Sequence, residues 1–148
     1  MNLPKKTKCP ELMKKSINFS SIPENLSLVE KLVEEVCIEC NINEEHFGTI
    51  LISITEAVNN AIQHGNKYDP QKNVALICDS DTNRGNLSFT IEDQGDGFDF
   101  QTIPDPTSPE NIEKLCGRGI FLMKNLADKV GFKKKGRVVE LNFDLSCN

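Results

Sequence analysis

The hydrophobic pattern predicts an α/β (α+β) sandwich, a mixed but mainly antiparallel sheet with its helices on one face. Three observations lead there. Apolar residues alternate singly in short stretches such as VALICDS and NLSFTIED, whereas between residues 27 and 65 they recur three and four positions apart. Those two alternating stretches are joined by a short polar turn, which suits a hairpin and is too short for a crossover. The whole order is strand, two helices, two strands, helix, two strands, and doubly wound nucleotide-binding folds do not segregate their elements in that way.

Taken in order, KSINFSSI (residues 15–22) reads as a strand with Ile17 and Phe19 on one face. Ser27 and Glu30 have capping-box spacing and open a helix to about Cys40. Its apolar series Val29, Leu32, Val33, Val36, Cys37, Cys40 absorbs the CxxC into a core face, and a structural zinc site would lack its other pair of ligands. Asn43 caps the next helix, with Glu44 and Glu45 where the helix dipole favours negative charge, and Gly65 is its natural stop. The turn DSDTNRG carries Asp79, Asp81 and Asn83 at calcium-loop spacing. Arg84 stands where that loop needs glycine and Thr90 where it needs glutamate, so it reads as a hairpin turn. Pro104, Pro106 and Pro109 mark a long connection in which Ser108 and Pro109 start a short helix. A further helix is expected over about Ile120 to Val130, then strands around VGFKK and RVVELNFDL.

The chain has 148 residues, 38% of them hydrophobic and 26% charged, with a formal charge of −5. That length fits one domain, and the negative charge argues against a nucleic-acid surface while leaving room for a phosphorylated ligand bound through backbone N–H groups or a metal. No stretch has the apolar length of a membrane span and the start has no signal-peptide run, so a cytoplasmic protein without membrane contact is expected.

TEAVNNAIQHGN (residues 55–66) is where chemistry is concentrated. At 100° per residue, Phe47, Ile50, Leu51, Ile54, Val58, Ala61 and Ile62 share one side, with Glu56, Asn60, Gln63 and His64 opposite and Asn59 beside them. A solvated face would explain this, but such faces normally carry basic residues, and none occurs between Lys31 and Lys67. Asparagine is also a poor helix former, so two in succession suggest hydrogen bonding or metal coordination. In NLSFTIEDQGDGFDF, the period of two sends the Asp93 carboxylate to the face of Leu87, Phe89 and Ile91. Either it caps the turn through Gln94 and Gly95 or it meets a ligand N–H donor such as the adenine amino group. Gly95 and Gly97 permit close backbone approach. In CGRGIFLM, Gly117 and Gly119 precede a helix start, where free N–H groups can receive an anion. P-loop, Rossmann and H-R-D or D-F-G kinase signatures are absent.

The ordered set Glu56-x-x-Asn59-Asn60-x-x-x-His64-Gly65, Asp93-x-Gly95-x-Gly97 and Gly117-x-Gly119 resembles the N, G1 and G2 boxes of the GHKL ATPases, whose fold is the Bergerat ATP-binding fold. EAVNNAIQHGN, DQGDGFDF and PDPTSPENIEKLCGRGIFLM are most similar to anti-sigma-factor serine/threonine kinases of the RsbW and SpoIIAB type. The resemblance spans nearly the whole chain. It implies a single histidine-kinase-like ATPase domain over 1–148 with an ATP lid at about 98–119. It further implies that Asn60 coordinates Mg2+ bridging the ATP phosphates, that Glu56 is the general base, and that Asp93 binds the adenine amino group. Gly95, Gly97, Gly117 and Gly119 would shape the adenine pocket and lid. Asn59 and His64 match positions used for nucleotide binding, and Arg118 either reaches a phosphate or faces solvent. The hydroxyl residue that many members place near adenine in a late strand is replaced here by Val138 and Val139. The implied function is Mg-ATP-dependent phosphorylation of a STAS-type anti-anti-sigma protein, with binding of a sigma factor and homodimerisation. A non-enzymatic partner switch and a simple ATPase are the alternatives.

Overall fold

The computed structural model describes residues 12–81, 85–96 and 127–145. Five strands form one sheet: β1 (Leu12–Ser20), β2 (Asn73–Asp81), β3 (Asn86–Glu92), β4 (Lys129–Lys133) and β5 (Val138–Asp144), in the spatial order β1-β2-β3-β5-β4. All four pairings are antiparallel, so among the described residues the expected sheet carries no parallel pair. Two helices, α1 (Leu26–Glu39) and α2 (Glu44–Asn60), pack on each other, and α2 also lies against β3 and β5.

Strict alternation makes the sheet two-faced. Phe19, Val74, Leu76, Cys78, Leu87, Phe89, Ile91, Leu141 and Phe143 point to the helices and are buried. The opposite face carries small and polar groups, with Asp79, Ser88 and Asn142 side by side in register. An antiparallel sheet tolerates this because one face can remain in water. Phe89 and Phe143 meet edge to face at 6.1 Å across β3 and β5, a geometry that adds about 0.5–1.5 kcal/mol beyond area burial.

β1 begins at Leu12 and ends at Ser20, earlier at both ends than the alternation of Ile17 and Phe19 indicates. Lys15, where the expected strand begins, is an inward-facing residue at the sheet edge. Its Nζ reaches Glu39 of α1 at 2.6 Å and Glu35 at 3.9 Å. The bond to Glu39 is the main cause that raises the lysine pKa. A cation at an inward position is thus met by carboxylates from the covering helix, which local pattern could not show.

The expected capping box at Ser27 is not formed. α1 begins at Leu26 behind a 3-10 turn at Pro23–Asn25, and the Ser27 hydroxyl donates to the Glu24 carbonyl at 3.0 Å. The helix ends on Asn41, left-handed at φ 52, and Ile42 N–H closes back to the Cys37 carbonyl at 2.9 Å. That is a Schellman closure with asparagine in the usual glycine place. Asn43 does cap α2, its side chain accepting from His46 N–H at 2.8 Å. Cys37 is core, as expected, with burial pushing its thiol up to about 11. At the other end of the chain Val130 is in β4, so the helix expected as far as Val130 does not include Lys129 or Val130. Ala127 and Asp128 form a bend and are not helical either; the part of that helix before Ala127, the short one at Ser108, Gly97, Gly117, Arg118, Gly119 and the lid at 98–119 lie outside the described residues.

Candidate nucleotide site at the end of the second helix

α2 carries Glu56, Asn59 and Asn60, all half-buried, while Ala57 and Val58 between them are in the core. Glu56 and Asn60 are one turn apart, about 6 Å along the axis, and share a face. Helical structure continues past Asn60, but the next five residues, Ala61–Gly65, form a π turn closed by Asn66 N–H on the Ala61 carbonyl at 2.8 Å. π turns occur mostly as single insertions in α-helices, frequently at functional sites. This one changes the angular register on which the helical wheel relied. His64 is exposed, and Gln63 is half-buried. Partial desolvation lowers the His64 pKa from the ordinary imidazole value, which favours the neutral ring.

The π turn delivers Gly65 to Asp93. A Cβ on Gly65 would overlap the Asp93 carboxylate, and one on Gly95 would overlap the Gly65 carbonyl oxygen. Gly65, the expected stop of the helix, has no positive φ; the absence of a side chain is needed here for close approach. Left-handed backbone occurs instead at Lys67 and Tyr68, φ 52 and 60. Neither is glycine, so each conformation costs about 1–2 kcal/mol and has to be held by its surroundings.

Asp93 follows β3 on the inward face and is 7% exposed, as the period of two indicates. Among the described residues one donor reaches its carboxylate, Gly95 N–H to Oδ1 at 2.8 Å. The turn-capping role and a ligand role are therefore compatible, because Oδ1 makes the turn and Oδ2 can still accept. Burial raises the Asp93 pKa, opposed by the Gly95 N–H and by Arg137 and Lys72, with Glu92 adding to the rise. An unfolded chain releases this proton at the ordinary value of 3.8, whereas the folded one retains it to higher pH. The contribution to stability is complete below 3.8 and is lost as pH rises through the folded value. Thermal melts across that window should show this decline in the parent and not in Asp93→Asn; the same decline in both would refute it.

Asn60 provides the second unusual group. Its Nδ2 is buried without a hydrogen-bond partner among the described residues. Such a donor fits a phosphate oxygen; turned over, the same amide offers its oxygen to a cation. The described residues contain no cluster of three or more His, Cys, Asp or Glu able to hold a metal. A divalent cation here would rest on Asn60, with Glu56 beside it, and draw its other ligands from phosphate and water, which is how Mg2+ commonly binds. Basic residues, absent from 32–66, would compete with it.

The residue that the sequence did not reveal is Asn66. It is 1% exposed and its amide bonds to three separate segments. Directly after Gly65 it looks like an ordinary post-helix polar residue. Its partners are 45, 7 and 28 positions away, so no local periodicity marks it.

The model of the histidine kinase-like ATPase domain matches residues 19–143. The chain belongs to the histidine kinase-like ATPase family. Within it, the chain is similar to the serine-protein kinase RsbW of Staphylococcus aureus. Strains RF122 / ET3-1 and MRSA252 each give 30% identity over 122 residues, covering 78% of this chain and 76% of theirs. A solved structure of the RsbU and RsbW domains of Rv1364c from Mycobacterium tuberculosis matches with a TM-score of 0.60 over 90% of this chain. Identity there is 18% and this chain spans 32% of that longer one, so the likeness is one of fold. The family is described as an ATPase domain, and its RsbW relatives are named as serine-protein kinases.

Proposed function

We propose that this chain is a Mg-ATP-dependent serine/threonine protein kinase that phosphorylates a STAS-type anti-anti-sigma protein and acts as an anti-sigma factor by binding a sigma factor. The observation that carries this reading is the contact of the buried Asp93 carboxylate with Gly65, at the end of the helix that bears Glu56 and the unpaired Asn60 amide. In support, a buried carboxylate suited to reading a base and an amide suited to a phosphate or metal share one continuous support.

In this reading Asp93 Oδ2 accepts from the adenine amino group and Gly95 keeps the turn close to the base. Asn60 would hold Mg2+, with Asn59 and His64 beside the nucleotide, Gly97 by the adenine pocket, and Gly117, Arg118 and Gly119 in the lid. When bound, Mg2+ neutralises charge on the phosphate oxygens. Glu56 accepts the proton of the acceptor hydroxyl as its oxygen bonds to the γ-phosphorus and the β–γ bridging oxygen leaves with ADP. Most of the rate comes from alignment, since phosphoryl transfer has a loose transition state. The protein works in the cytoplasm as one domain over 1–148 and as a homodimer, regulating transcription through protein partners without touching nucleic acid or membrane. No helix among the described residues is long and apolar enough to cross a membrane.

Incubation with γ-labelled ATP and candidate STAS proteins tests the reading. Label should appear on a serine or threonine of one partner and disappear when Mg2+ is chelated. ATP consumption with every partner unlabelled would refute the kinase and favour the simple ATPase; nucleotide binding with neither would favour a non-enzymatic switch.

A further inference from the structure

We infer that Asn66 is a positioning residue for adenine recognition, holding the Asp93–Gly95 turn so that the Asp93 carboxylate keeps the orientation that reads the base. The inference rests on the adenine-binding role proposed for Asp93.

Asn66 is almost fully enclosed, yet its side chain is well satisfied. Nδ2 donates to the Ser21 hydroxyl at 2.6 Å and to the Asn73 carbonyl at 3.0 Å. Oδ1 accepts from Gln94 N–H at 2.7 Å. Ser21 in turn donates to the Lys72 carbonyl at 2.6 Å, and Asn73 N–H donates to Gln94 Oε1 at 2.6 Å. One amide therefore joins the end of α2, the exit of β1, the start of β2 and the turn after β3. Gln94, the residue between Asp93 and Gly95, is held at its main chain by Asn66 and at its side chain by Asn73.

The two ends of the amide have separable duties. The donor end ties Ser21 and Asn73, which are scaffold. The acceptor end fixes the Gln94 peptide, and that peptide sets where Asp93 and Gly95 point. Without it the Gln94 N–H would be short of a partner near a buried carboxylate, and the turn could rotate to find one. Asn66 also precedes the left-handed pair Lys67 and Tyr68, so the chain leaves the helix in an unfavourable conformation at the place where the amide pins it. Strain of this kind persists where neighbouring structure over-determines it, and it clusters at ligand sites.

The test compares binding of ATP with that of purine riboside triphosphate, which lacks the amino group. The parent should prefer ATP. Asn66→Ala should lose at least tenfold of that preference, while binding the purine analogue about as the parent does. Asn66→Asp keeps the acceptor for Gln94 and should restore most of the preference despite a lower melting temperature. Ser21→Ala removes a scaffold contact only, so it should lose stability and keep the preference. Should Asn66→Ala not fold, Asn66→Asp and Ser21→Ala still decide, since loss of preference in Asn66→Asp overturns the inference. Preference retained in a folded Asn66→Ala, or equal weakening toward both nucleotides, also overturns it while leaving the Asp93 role intact. A parent indifferent to the amino group would overturn both.

Discussion

Asn60→Ala should abolish Mg2+-dependent ATP binding and leave the protein folded, with a melting temperature equal to or above that of the parent. The two halves of this outcome have one cause. An asparagine within a helical run costs about 0.7 kcal/mol against alanine. A buried amide N–H without a partner costs about 1–3 kcal/mol more. Asn60 has both liabilities, since α2 runs straight into the π turn and Nδ2 has no partner among the described residues. Among the described residues no hydrogen bond to Asn60 Nδ2 supports the fold, which points to a value in what the amide binds. Calorimetric ATP titrations with and without Mg2+, beside a thermal melt, check both halves. Parental Mg-ATP affinity in the variant would refute the metal assignment. A large loss of stability would show instead that the amide is structural.

Glu56→Gln should keep ATP binding and lose phosphoryl transfer by about 10²–10⁴-fold, the usual contribution of a positioned general base. Glutamine preserves size and helix propensity, and Glu56 is half-buried at the same face as Asn60, so neither the fold nor the nucleotide contacts should change. Single-turnover transfer of γ-label measures the effect without confusion from product release. Unchanged transfer would remove Glu56 from the chemistry. Loss of binding in parallel with transfer would mean that the carboxylate holds the cation.

Different distances along the chain explain why some of this was legible in the sequence and some was not. The sheet and α2 were readable because alternation and the 3.6-residue period are local, and the core they imply is the core observed: Leu87, Phe89, Ile91 and Asp93 do share the buried face. Asn43 was readable as a cap because its partner is three residues away. The Ser27 capping box failed because a 3-10 turn at Pro23 had already begun the helix. Lys15 gave no local sign of pointing inward, since its carboxylate partners on α1 are brought near only by folding.

The candidate site divides along the same line. Sequence by itself determined which side chains are chemically out of place: a glutamate and two asparagines on a helix without basic residues, and a carboxylate in an apolar alternation. Composition and period are enough to expose such misfits, because they are departures from what packing alone would select. Only the tertiary structure decided how these groups meet. The π turn shifts the register after Asn60, Gly65 is glycine so that Asp93 can approach it, and Asn66 links three segments up to 45 residues apart. Those facts depend on hydrogen bonds and contacts between distant segments, and these exist only once the chain has closed around them.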